Sequence, residues 1–287
     1  FTPLERLLTE TRAVSFYLRQ SLAPNLKQMG LHHDDWRISS GLLSPFETLT
    51  STALILALAG FVFAKRQEPR WRLSIFAISW FLSAHVLESS LIPLELVHEH
   101  RNYIPVAGLC IAFPIAILTQ SWPPSPRLKA TLILSIVILL SVLTYSRAVT
   151  WSDPVTHAFM EAEHHPKSFR STYTAAYAAY GYGRYTGNDD WIDIAFTYLD
   201  DAKDLDKSDL LAPFELLRLS SRHDRTLPEN FWRDFLYRPK IASIRANNAE
   251  VFDRLLECYT EQACDISLEN LTRFVDAGLS NQNMLGK

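Results

Sequence analysis

Four long apolar runs in the first half of this 287-residue chain constrain its fold more than any other feature. They cover residues 46–64, 73–92, 104–122 and 128–145. The first follows Ser44-Pro45, a helix-start signal, and carries one charge, Glu47, at its edge. The third contains Pro114, and the fourth includes ATLILSIVILLSVL without a charge. Each is close to the roughly 20 residues a helix needs to cross a bilayer core. Core helices of a soluble domain are the weaker reading of four such runs flanked by Trp, Tyr, Lys and Arg. The prediction is an all-α chain with four transmembrane helices over residues 46–146.

The second half obeys a different solvent. Residues 1–146 hold 12 Lys+Arg and 9 Asp+Glu, a net of +3, whereas residues 147–287 hold 16 and 22, a net of −6. No apolar run of membrane length occurs after residue 146, so that half is read as a soluble α-helical domain. The overall charge of −3 gives no electrostatic footprint for nucleic acid, and three Cys are too few for a disulfide scaffold.

Orientation follows from the loops. Lys65, Arg66, Arg70 and Arg72 lie between the first two runs, and Arg127 and Lys129 between the last two. The positive-inside rule assigns both loops to the cytoplasm. Residues 1–45, the loop PLELVHEHRNY and the C-terminal half then share the opposite side, the periplasm of a Gram-negative cell. Within residues 1–45, Leu4, Leu7, Leu8, Val14, Tyr17 and Leu18 form a broken helical stripe among charges, which reads as an interfacial amphipathic helix. LAPNLKQMGLHHDDW follows as a loop on the membrane surface. The chain opens Phe-Thr-Pro without an initiator Met or a secretory pattern, and it is expected to be the C-terminal part of a longer protein.

Residues 170–185, RSTYTAAYAAYGYGRY, and 191–206, WIDIAFTYLDDAKDLD, read as two helices joined by Gly187-Asn188-Asp189-Asp190. Ala195, Leu199 and Ala202 alternate small and large on one face, the spacing that lets tetratricopeptide helices pack closely. The turn is longer than that repeat allows and no second good copy follows, so residues 147–287 are expected to form a TPR-like helical domain. Further helices are expected over 214–220, 230–236 and 248–258. Cys258 and Cys264 are the Cys pair outside the apolar runs, and an oxidising compartment favours their disulfide over two unpaired buried thiols. Cys110, within a run, is read as packing.

The densest chemistry lies between the second and third runs. His85 and Glu88 share a helix face three residues apart, inside a span where ionisable groups are costly. Arg101 suits bidentate binding of phosphate or carboxylate. Glu95, His98, Glu99 and His100 offer groups to position a water or cation, but His-x-His alone is a weak metal signal, and no cofactor is expected. The alternative is structural, with Glu99 and Arg101 pinning the loop through ion pairs. His32-His33-Asp34-Asp35 reads as a solvated loop rather than a cation site, and His164-His165 as a turn. Tyr173, Tyr177, Tyr180, Tyr182 and Tyr185 read as core packing, with glycan stacking as the functional alternative.

ESSLIPLELVHEHRNYIPVAG (88–108) resembles a motif of polytopic membrane proteins with C-terminal TPR modules, including the transmembrane and TPR-containing protein O-mannosyltransferases. The matching positions are Glu88, Ser89, Ser90, Pro93, Leu94, Glu95, Glu99, His100, Arg101, Tyr103, Pro105 and Gly108. The similarity covers residues 5–205 and fades beyond. It implies a C-type glycosyltransferase that moves a sugar from a polyprenyl-phosphate donor to a periplasmic protein or glycan acceptor. That family's catalytic acid lies in an upstream loop that nothing here matches, so no catalytic residue carries over. Glu99, His100 and Arg101, with Glu88 and His85 nearby, are the expected lipid-phosphate side of the site. The rival expectations are a non-catalytic membrane-anchored TPR scaffold and a lipid-linked oligosaccharide ligase or polymerase.

Overall fold

The computed structural model describes residues 2–86, 89, 95–119, 125–243 and 245–281. Among them the chain is all-helical, with twelve α-helices and no strand. It divides into two compact units, Phe1–Ser152 and Asp153–Lys287. The boundary lies later than residue 146 because the last apolar helix continues through Arg147 to Ser152. Residues 1–45 belong with the apolar helices rather than forming a separate region.

The first unit starts with α1 (Pro3–Leu22). Thr2 caps it, its hydroxyl accepting from Glu5 N at 3.3 Å while the Glu5 carboxylate accepts from Thr2 N at 2.6 Å, a reciprocal capping box. Four helices follow: α2 (Glu47–Lys65), α3 (Arg72–His85), α4 (Tyr103–Thr119) and α5 (Pro126–Ser152). Three segments, α2, α4 with the 3-10 turn before it, and α5, are long and apolar enough to cross a membrane. The second predicted span is not among them. It contributes only the 14-residue α3, and residues 87, 88 and 90–92 of that run lie outside the described residues. Among the described residues, three candidate spans are thus found where four were expected.

Packing among these helices is local and specific. A Cβ on Gly108 would lie 2.6 Å from Trp80 Cδ1, so α4 approaches α3 only because that position lacks a side chain. The Trp80 indole N–H donates to the Ile104 carbonyl at 2.9 Å across the same contact. The unit's small core comprises Ala13, Val14, Phe16, Tyr17, Phe81 and Val97. The face that α1 buries differs from the expected stripe. Leu4 and Leu7 stay exposed, while Arg6, Thr9, Glu10 and Gln20 are buried beside Val14 and Tyr17. The Arg6 guanidinium donates to the Glu10 carboxyl at 3.1 Å, which gives both buried polar groups a partner on that mixed face.

The second unit holds α6 (Pro154–His164), α7 (Phe169–Thr186), α8 (Asp189–Leu205), α9 (Leu211–Arg222), α10 (Phe231–Tyr237), α11 (Ala246–Thr260) and α12 (Leu268–Leu279). Side-chain oxygens of Asp153, Ser168, Asn188 and Ser267 cap α6, α7, α8 and α12. Gly187, at φ +68°, closes α7 in the left-handed conformation and starts the turn into α8. Ala175, Ala176 and Ala179 of α7 and Ala195, Leu199 and Ala202 of α8 are all buried, so small residues let these helices pack closely. Their lengths are not repeated: α7 and α8 have 18 and 17 residues, whereas α9 to α12 have 12, 7, 15 and 12. This difference argues against a regular repeat array.

Beyond the hairpin the core is aromatic, with Phe235 stacked on Phe274 at 4.7 Å and on Phe231 at 5.4 Å. Buried Asn248 ties three stretches together. Its Oδ1 accepts from Leu210 N at 2.9 Å, and its amide donates to the carbonyls of Ser208 and Ser243 at 2.9 and 3.0 Å. Cys258 and Cys264, both buried, form a disulfide with Cα atoms 5.4 Å apart that closes the turn after α11.

Candidate functional site

The polar residues of the first unit gather where α1, the ends of α3 and α5, and the start of α4 meet. Tyr17 is the hub. Its hydroxyl accepts from His98 N at 2.6 Å and donates to His98 O at 3.2 Å. Its ring stacks on His85 with centroids 5.4 Å apart and planes 18° apart. His85 is buried in the last turn of α3 and donates from Nδ1 to the Phe81 carbonyl at 2.9 Å, which fixes the ring. Asn102 donates to Tyr17 O at 3.4 Å and to Ser21 Oγ at 3.1 Å, holding the entry of α4 against α1.

Glu99 sits in the 3-10 turn Glu99–Asn102 and joins three parts of the chain. Its carboxylate accepts from Gly30 N at 2.8 Å, faces His33 Nε2 at 3.3 Å, and lies 3.7 Å from Arg147 at the end of α5. Arg147 also donates to the Met29 carbonyl at 2.9 Å. This is the geometry of a pin: one carboxylate fixes the surface loop, the α4 entry and the α5 exit at one level. His33, from the His32-His33-Asp34-Asp35 run, belongs to that pin, and its ring packs edge-on against Phe16.

Arg101 has another environment. Its Nη1 donates to the Glu95 carbonyl at 2.7 Å, and its charge acts through space on Glu10 and Tyr17. Glu10 is almost fully buried on α1. Burial raises its carboxyl to about 7 against the opposing pull of Arg6, a hydrogen bond with Ser89 and Arg101. Burial likewise pushes the Tyr17 hydroxyl up to about 12. His98 is held below the ordinary imidazole range by burial and by neighbouring His100, whose ring lies 3.9 Å away. His100 itself is exposed.

The sequence-derived candidates therefore divide. Arg101 and His85 border the buried Tyr17–Glu10 cluster; Glu99 is the pin; His100 faces outward; Glu88 lies outside the described residues. Sequence reasoning missed Arg6, Glu10, Tyr17 and Arg147 as site residues. The i, i+4 spacing of Arg6 and Glu10 was available as a signal. Tyr17 was hidden in an apolar stripe, and Arg147 lay just past a span. Chemically, the cluster combines a carboxyl raised by burial with the guanidinium of Arg6 beside it and the charge of Arg101 within reach, and perturbed groups of this kind gather at functional sites. No family model, curated protein or solved structure matches the chain.

Proposed function

We propose that the chain is the C-terminal portion of an inner-membrane glycosyltransferase-like protein. It transfers a sugar from a polyprenyl-phosphate donor to an acceptor on the periplasmic side. One observation carries this reading: Arg101, in the turn that leads into α4, is close enough for its charge to act on buried Glu10 and Tyr17 of α1. Charge grows on a phosphate leaving group in the transition state, and a preorganised guanidinium at the lipid surface stabilises it. The carboxyl of Glu10, near its midpoint at neutral pH, is suited to holding or passing a proton there.

The reading places four crossings in the membrane. Thr11 meets Thr52 near the start of α2 at 3.1 Å, and Tyr17 meets His98 before α4. That both helix starts touch α1 supports a reading in which the chain between them crosses out and back. The 14-residue α3 is the described helix available for the return, with His85 at its end beside Tyr17. The basic loops at Lys65, Arg66, Arg70 and Arg72 and at Arg127 and Lys129 then face the cytoplasm. The TPR-like C-terminal domain faces the periplasm and binds the acceptor.

Replacing Arg101 by Ala in the full-length protein tests the site. Transfer from a radiolabelled polyprenyl-phosphate sugar in native membranes is expected to fall by about a hundredfold, the effect of removing one transition-state donor, with the protein still inserted. Undiminished transfer would remove Arg101 from the site. The rival, a non-catalytic membrane-anchored scaffold, draws support from the pinning role of Glu99. Under that reading Arg101→Ala and Glu99→Gln both lower the amount of folded protein, and no transfer is measured in the wild type.

A further inference from the structure

The exposed face of α7 carries aromatic groups that its packing does not explain. Tyr177 is 68% exposed and Tyr185 88%, although both lie on a helix that buries its other side against α8. Gly181 stands between them on the same i, i+4 ridge, with open space where a Cβ would be. The two tyrosines are about 12 Å apart along the helix axis at the usual rise per residue. Openings of about 410 and 490 Å³ flank the ridge, one toward Val155 and Ala158 of α6, the other toward Arg218 of α9.

The second opening is cationic in a half of the chain that is net acidic. Arg184 makes no ion pair among the described residues and lies over the Tyr180 ring at 6.0 Å. Arg218 and Arg254 both pair with Glu215, at 2.6 and 2.5 Å, so two guanidiniums share one buried carboxylate. Tyr180 lines this opening, is more than nine-tenths buried, and its hydroxyl has no hydrogen-bond partner among the described residues.

We propose that this ridge binds an anionic oligosaccharide. Pyranose rings that are not adjacent in the oligosaccharide lay their C–H faces on Tyr177 and Tyr185, Gly181 leaves room for the sugar between them, and an acidic group is held by Arg184 and Arg218. The charge sign selects an anion. The helical surface selects a glycan over an extended peptide: backbone donors and acceptors within α7 are used in the helix, so a peptide strand gains no main-chain bonds here. Sugars need none, since they combine stacking with hydroxyl hydrogen bonds. The site names the acceptor class of the transfer proposed above and rests on that reading for this role alone.

Calorimetric titration of the full chain in lipid nanodiscs with tetragalacturonate, and separately with neutral cellotetraose, tests the site without turnover. Saturable binding of tetragalacturonate is expected, with the neutral sugar about tenfold weaker. Tyr177→Ala and Tyr185→Ala are each expected to weaken binding about tenfold, the loss of one aromatic platform. Arg184→Gln should weaken it several-fold and flatten its salt dependence. These positions are exposed, and circular dichroism of each variant reports that the fold is intact. Absence of saturable binding, or wild-type affinity in both tyrosine variants, overturns the proposal. Binding of an acidic Glu-rich decapeptide in place of tetragalacturonate overturns it too and makes the ridge a protein-docking surface. Retained sugar binding with no transfer activity removes only the acceptor role, because the failed step is then the reaction.

Discussion

Helices α5 and α8 put similar residue types to opposite use. Helix α5 runs for 27 residues without burying one, and Leu134, Val137, Ile138, Leu139 and Val142 all face outward. Helix α8 runs for 17 and buries Ile192, Ala195, Leu199 and Ala202 almost completely. In water, the α5 surface would be a large exposed apolar patch of the kind that drives association. In hydrocarbon it costs nothing, and the helix satisfies its own backbone polar groups. An apolar side chain thus reports its solvent rather than its depth in the protein, and the two units are written for different solvents.

The largest effect that separates them is a truncation made in each. Phe274 is fully buried and packs against Phe235 and Phe252, with centroids 4.7 and 5.0 Å away. Phe274→Ala should destabilise the second unit by about 3–5 kcal/mol through lost transfer energy and a residual cavity. Leu134→Ala in α5, where lipid fills the space, should cost under about 1 kcal/mol. Urea unfolding followed by circular dichroism checks the first, and thermal stability in nanodiscs the second. Equal costs would mean that α5 is packed against protein.

A charge provides the complementary test. Ile138→Arg should disfavour insertion of α5 by about 3 kcal/mol and shift the protein out of the membrane fraction after carbonate extraction. The same change at exposed Tyr185 should leave the second unit folded within about 0.5 kcal/mol. Retention of the Ile138→Arg protein at the wild-type level would break the comparison, since α5 would then not be surrounded by lipid.

The contrast was largely legible in the sequence because it rests on residue type and run length. Three apolar runs became α2, α4 and α5, and the Ala-rich faces of α7 and α8 were readable from spacing. Helices were also read near α9, α10 and α11, but α12 was not, because LENLTRFVDAGL follows a disulfide turn and has no apolar run. The second span was over-read, since continuous apolarity does not report where a helix stops: α3 is described to His85, and the run's remainder lies partly outside the described residues. The candidate site was only half legible. The motif around Arg101 could be found locally, but Glu10 and Tyr17 reach it from about 80 residues earlier through a contact that no periodicity encodes.

Cross-linking distinguishes the units by a smaller amount. The Cys258–Cys264 disulfide closes a short loop after α11, and both sulfur-bearing residues are buried. Replacing both by Ala should destabilise the second unit by about 2 kcal/mol, the chain-entropy value for so short a loop. The apolar first unit, whose Cys110 is unpaired, should keep its thermal transition unchanged. A loss of first-unit stability in the double variant would show that the units do not unfold independently.

Glu10 gives the finest distinction, because it is a buried titrating group within the lipid-associated unit. Its carboxyl sits at about 7 when folded against an ordinary 4.5. Between those values the folded protein keeps a proton that the unfolded chain has lost, so the unfolded state binds fewer protons and stability falls as pH rises. The first unit should therefore be most stable below about pH 4.5, lose stability progressively up to about pH 7, and level off above it. Glu10→Gln removes the titrating group and should flatten this slope in nanodisc melting curves, while the second unit's transition keeps its own pH dependence. Glu10→Ala tests shape as well as charge and should lower stability at every pH by leaving Arg6 without its 3.1 Å partner. An unchanged slope in Glu10→Gln would mean that water reaches this carboxyl freely, and the α1 cluster would lose the low-dielectric setting on which its chemistry depends.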